Sequence, residues 1–153
     1  MTRKRGQRFE LREHTADIAV EATGDSLEGV FAAVADGLGA ASCDEIPDET
    51  GDRFSLSVTA ESREALLFDY LDELIYLRDV RVELPVDHRV EAITHSDDAD
   101  DAESWTLEAS ARGVPLADID AREVKAVTYS EMRLERVETD DGEGWEAYVV
   151  FDV

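Results

Sequence analysis

The chain has 153 residues, and its 38 acidic side chains outnumber its 15 lysines and arginines to give a net charge of −23 at pH 7. This length predicts one domain over residues 1–153, and the 43% hydrophobic content excludes the intrinsically disordered class. Because so much negative charge repels nucleic acid, we do not expect direct binding of DNA.

Lysine is almost absent from the sequence. Lys4 and Lys125 are the only two lysines, against thirteen arginines. A large acidic excess with so little lysine is typical of adaptation to a high-salt cytoplasm, where ions screen the self-repulsion of the chain. The alternative interpretation is that the acidic surface selects a basic partner. As the one interior lysine, Lys125 is a candidate functional residue.

The sequence carries no sign of export or membrane insertion. No apolar run is long enough to cross a membrane, and no apolar segment follows the basic residues at the start of the chain. The single Cys43 cannot form an internal disulfide, and a buried, unreactive thiol is expected there. We therefore expect a cytoplasmic protein with no membrane partner.

The predicted elements follow two periodicities. After a flexible basic tail at residues 1–8, apolar residues recur every second position in strands and every third or fourth position in helices. Asp25 or Ser26 caps the first helix, and the second helix has the broader apolar stripe. The pattern predicts helices over 27–41 and 61–77, and strands over 8–12, 18–22, 54–60, 80–84, 90–94, 105–111, 124–137 and 145–153.

Two strands, a helix, a strand and a second helix thus precede a run of strands joined by turns, such as the glycine-rich turn at 140–144. This order predicts an α+β fold in which two helices pack on a mostly antiparallel β-sheet, as a two-layer single domain. His88 and His95 fall at opposite positions of a strand, so they cannot share a metal without a bend, and both are expected at the surface.

Carboxylates near both ends of the sequence form the first candidate site. Asp17 lies where the first two strands meet, and Asp152 and Val153 end the last strand. If that strand runs beside the first ones, the side chains of Asp17 and Asp152 and the carboxylate of Val153 converge. Three carboxylates repel each other unless a cation lies between them, and oxygen ligands favour Ca²⁺ or Mg²⁺ over Zn²⁺. The alternative interpretation is that no metal is bound, that Asp17 only caps a turn and that Asp152 lies at a frayed strand end.

No catalytic motif is present in the sequence. His14 and Asp17 are three positions apart and could form a base with the group that orients it, but no serine or cysteine is marked as their target. A structural hydrogen-bonding role for His14 is therefore favoured, and no catalytic residue is assigned.

The segment around Lys125 reads as a strand. Alternation predicts Lys125, Val127 and Tyr129 on one face, and Val124 on the other. On that face Lys125 either contacts a partner or forms a surface ion pair that contributes little to stability.

Several of these segments resemble the archease family. The resemblance rests on Glu-His-Thr-Ala-Asp-Ile at 13–18, Asp-Glu-Leu-Ile-Tyr-Leu at 72–77, Val-Lys-Ala-Val-Thr-Tyr at 124–129 and the ending Phe-Asp-Val at 151–153. These motifs stand in the family's order and span nearly the whole chain. With the acidic composition, they identify the sequence as a halophilic archaeal member.

The resemblance implies a non-catalytic helper protein. Archeases activate the RtcB-type RNA ligase of tRNA splicing: they promote guanylylation of its active-site histidine, allow multiple turnovers and broaden its nucleotide use. The family's metal site, usually described with Ca²⁺, corresponds here to Asp17, Asp152 and Val153, with Mg²⁺ or Mn²⁺ as alternatives. Lys125 falls on the family's motif lysine, and His14 on its motif histidine. The implied partner is the ligase, with tRNA reached only indirectly.

The sequence departs from the family pattern at two places. Ser130 stands where the family often has a histidine. The family often has another histidine in the loop at 118–123, and this sequence has none there, so the roles of those histidines are not carried over.

The alternative function is a general chaperone or RNA-modification helper that protects a client enzyme from aggregation. A third and less favoured function is that of an enzyme that uses His14 and Asp17 and is active without a partner protein.

Overall fold

The computed structural model describes residues 8–13, 17–96, 103–140 and 142–153. The predicted basic tail lies outside these residues, apart from Arg8, which begins the first strand. The strands are β1 (Arg8–Glu13), β2 (Asp17–Gly24), β3 (Asp52–Ala60), β4 (Glu83–Ser96), β5 (Ser104–Pro115), β6 (Ala126–Thr139) and β7 (Gly142–Asp152); the helices are α1 (Leu27–Ser42) and α2 (Arg63–Arg81), and Leu116–Asp118 forms a 3-10 turn.

The predicted α+β class is confirmed, since two helices of the described chain pack on strands that pair antiparallel. The strands form two sheets instead of one, with the orders β1-β2-β7-β6 and β3-β5-β4. Each helix contacts strands of both sheets. Both sheets therefore share one hydrophobic core, which the periodicity of a strand cannot distinguish from the core of a single sheet.

The core lies where the two helices meet the sheets. The ring of Tyr70 on α2 stacks on Phe31 of α1, with ring centroids 6.3 Å apart. α1 approaches β2 closely at Gly37, where a Cβ would lie 2.6 Å from a methyl group of Val20. Gly37 weakens the helix itself but allows this close contact between helix and sheet.

Three single features can be compared directly with the sequence predictions. Cys43 is buried, as expected, and its thiol donates to the carbonyl oxygen of Glu45 at 3.2 Å. Within the described ranges, no helix is long and apolar enough to cross a membrane. Ser26 is the cap of α1: its Oγ accepts a hydrogen bond from the N–H of Gly29 at 2.9 Å.

α2 ends later than the sequence pattern predicts. The alternation over 80–84 predicts a strand, and this is wrong for its first half. Val80 lies in the helix and is 59% exposed, and Val82 follows the helix with a left-handed φ of 55°. β4 begins only at Glu83. The prediction failed because Val80 fits two patterns at once. It lies one helical turn after Tyr76, and it also alternates with Val82 as in a strand.

His88 is buried, with 2% of its surface exposed, so the predicted surface position is wrong. β4 is irregular at this point: Asp87 has a φ of 50°, and the register with β5 shifts around it. The irregularity turns His88 inward, where its Nε2 lies 3.2 Å from the carbonyl oxygen of Pro85. His95 is exposed, as predicted.

Ser62 caps α2, because its Oγ accepts a hydrogen bond from the N–H of Ala65 at 3.1 Å. Ser62→Ala leaves that N–H without this acceptor, so we expect the free energy of unfolding to fall by about 1 kcal/mol. Chemical denaturation at fixed salt measures the change. Ser55→Ala, at an exposed position of β3, is the control and should cost less than about 0.5 kcal/mol. Equal losses in the two variants would contradict the capping role.

Candidate functional site

β2 and β7 bring together two aspartates that are far apart in the sequence. In the register of these strands, Asp17 is the direct partner of Asp152. Directly opposed residues of an antiparallel pair point to the same face of the sheet, with Cβ atoms about 5 Å apart. Both carboxylates therefore lie on one face at one end of the four-stranded sheet.

This face is the one turned away from the helices. Asp152 pairs with Ala126, and the next pair of residues along these two strands is Phe151 with Val127. Phe151 and Val127 are buried in the core, so the neighbouring Asp152 points to the opposite face. Asp152 is exposed and Asp17 is half-buried. Val153 follows the last residue of β7, and its side chain packs against the core.

Lys125 adjoins the pair through β6. Asp152 also pairs with Ala126, the first residue of β6, and the backbone N–H of Lys125 donates to the carbonyl oxygen of Asp152 at 2.8 Å. The Lys125 side chain is exposed. Lys125 thereby brings a flexible positive charge to the end of the sheet that carries the two carboxylates.

The predicted faces of this segment are wrong at its start. Val124 and Val127 are both buried while Lys125 is exposed, although alternation predicts Lys125 and Val127 on the same face. The strand begins only at Ala126, so the residues before it do not alternate. Arg78 keeps Val124 inside, because its Nη1 donates to the Val124 carbonyl oxygen at 2.7 Å.

Arg78 is the residue of this region that the sequence prediction missed. It is 7% exposed, and its Nε and Nη2 also bind Oδ1 of Asp79, at 3.1 and 3.0 Å. The guanidinium thus joins the end of α2 to the segment that carries Lys125. The available signal was its position: Arg78 follows Leu71 and Leu74 on the apolar stripe of α2, where a charged residue is unusual.

The side chains that meet at this end of the sheet offer oxygen atoms. No group of three or more His, Cys, Asp or Glu side chains that could hold a metal ion occurs in the part of the chain that the structure describes. His14 lies outside that part, so its predicted role stays a prediction. The predicted donors, which are the side chains of Asp17 and Asp152 and the carboxylate of Val153, are all oxygen atoms and stay a prediction. Such a set fits Ca²⁺, Mg²⁺ or Mn²⁺ better than Zn²⁺.

The two departures from the family pattern have different surroundings. Ser130 lies in an irregular part of β6, where the register with β7 shifts, and it lines an open surface groove. In the 118–123 segment, the backbone N–H of Arg122 donates to the carbonyl of Ser42 at 2.7 Å, and its Nη1 donates to the carbonyl of Ala41 at 2.6 Å. This segment is therefore anchored to the end of α1.

Known proteins match the chain over nearly its whole length. Residues 9–153 fit the model of the Archease protein family (MTH1598/TM1083). The archease of Methanosarcina acetivorans is 33% identical, and the alignment covers 97% of this chain and 97% of that protein. The archease of Pyrococcus furiosus is 34% identical, with 96% and 99% covered.

Solved structures share the fold. The solution structure of protein 1598 from Methanobacterium thermoautotrophicum superposes with a TM-score of 0.71 at 28% identity and covers 95% of this chain and 98% of that one. The crystal structure of an archease from Thermotoga maritima, described as a possible chaperone, gives a TM-score of 0.56 at 22% identity and covers 100% and 98%. On the family match and the full-length relatives, the chain belongs to the archease family.

Proposed function

We propose that this protein activates the RtcB-type RNA ligase of its cell by promoting guanylylation of the ligase's active-site histidine. The ligase then turns over many times and accepts a broader set of nucleotides, while the activator carries out no chemical step itself. tRNA is reached only through the ligase. Family membership leads to this proposal, and the direct pairing of Asp17 with Asp152 is the observation that supports it most.

A divalent cation would be held by Asp17, Asp152 and the backbone carboxylate of Val153. Two aspartates opposed on one sheet face fit this role, because a cation between them cancels their repulsion. Ca²⁺ takes about six to eight oxygens, so water or oxygens of the ligase would complete its shell. When bound, the ion would supply a concentrated positive charge at the surface that meets the ligase.

Lys125 would act beside the aspartate pair. Its backbone hydrogen bond to Asp152, at 2.8 Å, ties it to β7, while its side chain stays exposed. The ammonium can contact a carboxylate of the ligase or a phosphate of the nucleotide. His14, which precedes Asp17 in the same motif, is retained as a second candidate for contact with the ligase.

Asp17→Asn tests the proposal, because it preserves the side-chain shape and removes its charge. Single-turnover guanylylation of the ligase with labelled GTP is measured in high salt, with and without the activator. We expect the stimulation to fall at least about tenfold in the variant, and its affinity for Ca²⁺ in calorimetric titration to fall similarly. Asp48→Asn, in the exposed loop before β3, is the matched control and should behave as wild type.

The alternatives give distinct results. Equal stimulation by wild type and Asp17→Asn would keep the ligase as partner and discard the metal site. A variant with one alanine added after Val153 tests the third carboxylate separately, since the addition moves it away from the aspartates. No stimulation by the wild-type protein would contradict the proposed function.

A general chaperone is the second candidate function, favoured by the exposed apolar side chains near the end of α2. A chaperone would suppress the aggregation of unrelated client enzymes and would need neither ligase nor metal. Light scattering of a heat-denatured client separates the two functions. Equal suppression by wild type and Asp17→Asn would support the chaperone, and no suppression by either would leave the activator.

A further inference from the structure

One side of α2 faces solvent and carries both apolar and acidic residues. Asp69, Asp72 and Tyr76 recur at steps of three or four positions. Asp79 and Val80 follow Tyr76 by three and four positions, so all five lie along one side of the helix, opposite its buried stripe. We name these five residues the α2 outer face. Tyr76 is 58% exposed and Val80 is 59% exposed.

Val82 extends this apolar surface at a strained position. It follows α2 with a left-handed φ of 55° and is 60% exposed. A β-branched residue is disfavoured there because its Cβ crowds the backbone, and glycine is the usual choice. Strain of this kind is concentrated at functional surfaces. A valine at this position exposes an apolar side chain at the cost of backbone strain.

Exposed apolar residues are concentrated in this region. Of the five exposed large hydrophobic side chains among the described residues, three are Tyr76, Val80 and Val82. A fourth, Tyr129, lies against Phe68 of α2, with ring centroids 5.4 Å apart. Such a cluster is typical of a protein interaction surface.

The acidic residues of the face determine which partner fits. Neither Asp69 nor Asp72 forms an ion pair within the described ranges. Burial, and then the nearby charges of Asp72 and Glu61, raise the pKa of the Asp69 carboxyl. A second copy of this chain would set two such acidic faces against each other, and RNA would add phosphates to them. The face therefore fits a protein with an apolar patch bordered by lysines and arginines.

The face is also connected to the aspartate pair. Asp79 accepts two hydrogen bonds from Arg78, and Arg78 donates to the carbonyl of Val124 at 2.7 Å. The next residue, Lys125, is bonded through its backbone to Asp152. These bonds tie the last turn of α2 to the end of the sheet that carries the carboxylates, although the carboxylates lie on the sheet face turned away from the helices.

We propose that the α2 outer face, together with Val82, is the surface on which the RNA ligase docks, through an apolar patch bordered by basic side chains. The inference rests on the proposed function. It separates two tasks within the protein: the α2 outer face provides affinity for the ligase, and the carboxylate pair provides the activation. Variants of the two surfaces should consequently fail in different ways.

The test measures guanylylation of the ligase against the concentration of activator, together with direct binding by calorimetry. Tyr76→Ser/Val80→Ser and Asp69→Asn/Asp72→Asn should each raise the dissociation constant about tenfold or more, with the full rate recovered at saturation. Leu11→Ser, at an exposed apolar position of β1, is the control for the first pair. Asp48→Asn/Glu49→Gln removes the same charge as the second pair from an exposed loop.

Val82→Gly keeps the test informative if a double variant folds poorly. Glycine relieves the backbone strain, so the protein should melt at a higher temperature while binding the ligase more weakly. If Val82 served only the fold, the substitution would raise the melting temperature without weakening the binding of the ligase. Asp17→Asn, by contrast, should lower the maximum rate, and an excess of the variant should not restore it.

The outcomes distinguish the two proposals. Wild-type affinity in every α2 variant would overturn the docking surface and leave the proposed function intact. Failure of the wild-type protein to bind the ligase would overturn the proposed function and the docking surface with it. Sedimentation velocity on the protein alone supplies a further test, because a dimer that Tyr76→Ser/Val80→Ser disrupts would assign the face to a second copy and overturn the proposal.

Discussion

Arg78→Met should lower the free energy of unfolding by about 3 kcal/mol, because the Val124 carbonyl loses a charged hydrogen-bond donor in a buried position. Methionine preserves the apolar stem of the side chain, so the loss reports chiefly on the guanidinium. Chemical denaturation in constant high salt measures the change.

The same variant should alter the aspartate site. Without the guanidinium, the segment that carries Lys125 loses its attachment to α2, and the position of Lys125 against Asp152 becomes less defined. Under the proposed function, we expect weaker stimulation of the ligase at temperatures where the variant is still folded. Arg89→Met is the matched control, because Arg89 is 53% exposed and its ion pair with Asp87 is worth less than about 1 kcal/mol. Equal destabilisation of both variants would contradict the role given to Arg78.

The buried imidazole of His88 should make the protein less stable in mild acid. Desolvation lowers the pKa of His88 to about 4, from 6.5 in an exposed chain. The neutral ring is therefore favoured in the folded state, while the unfolded chain takes up a proton below pH 6.5. Above pH 6.5, this preference for the neutral ring contributes about 3 kcal/mol to the free energy of unfolding. The contribution declines as the pH falls and is lost by pH 4.

The surroundings of His88 explain the sign of this effect. Its Nδ1 has no hydrogen-bond partner among the described residues, and the cavity beside it measures about 10 Å³, room for about one water molecule. A second N–H would therefore be difficult to satisfy. Guanidine denaturation of wild type and His88→Leu from pH 7.5 to 4 tests the effect, since carboxylates titrate alike in both.

His88→Leu should lose less stability than wild type over this pH range, whatever its stability at neutral pH. His95→Gln, at the surface, should follow the wild-type curve. Parallel curves for wild type and His88→Leu would show that the imidazole does not control the acid sensitivity.

Local patterns in the sequence were sufficient to predict most elements and their order. Ser26 and Ser62 precede helical stripes and alternating residues define the strands, since both signals depend only on neighbours in the chain. The division of the strands into two sheets depends on which strands pair, and no local pattern specifies that choice. Asp17 and Asp152 could be selected as carboxylates at strand ends, but their exact opposition depends on the register of β2 and β7.

The other differences come from tertiary contacts. His88 is turned inward by an irregularity in β4 that its own neighbours in sequence do not reveal. Val124 is drawn inside by Arg78, a residue more than forty positions earlier. A bend in a strand and a contact with a distant side chain thus place these residues, and alternation among neighbours reveals neither.

The pairing of β2 with β7 also determines when the carboxylate site can exist in a growing chain. β1 and β2 leave the ribosome on the order of ten seconds before β7, at ordinary rates of translation. Until β7 arrives, the β1–β2 hairpin has an open edge, and Val20 and Ala22 lack their final cover. A nascent or truncated chain that lacks β7 therefore cannot present the aspartate pair, so the proposed metal site requires a chain synthesised and folded through β7.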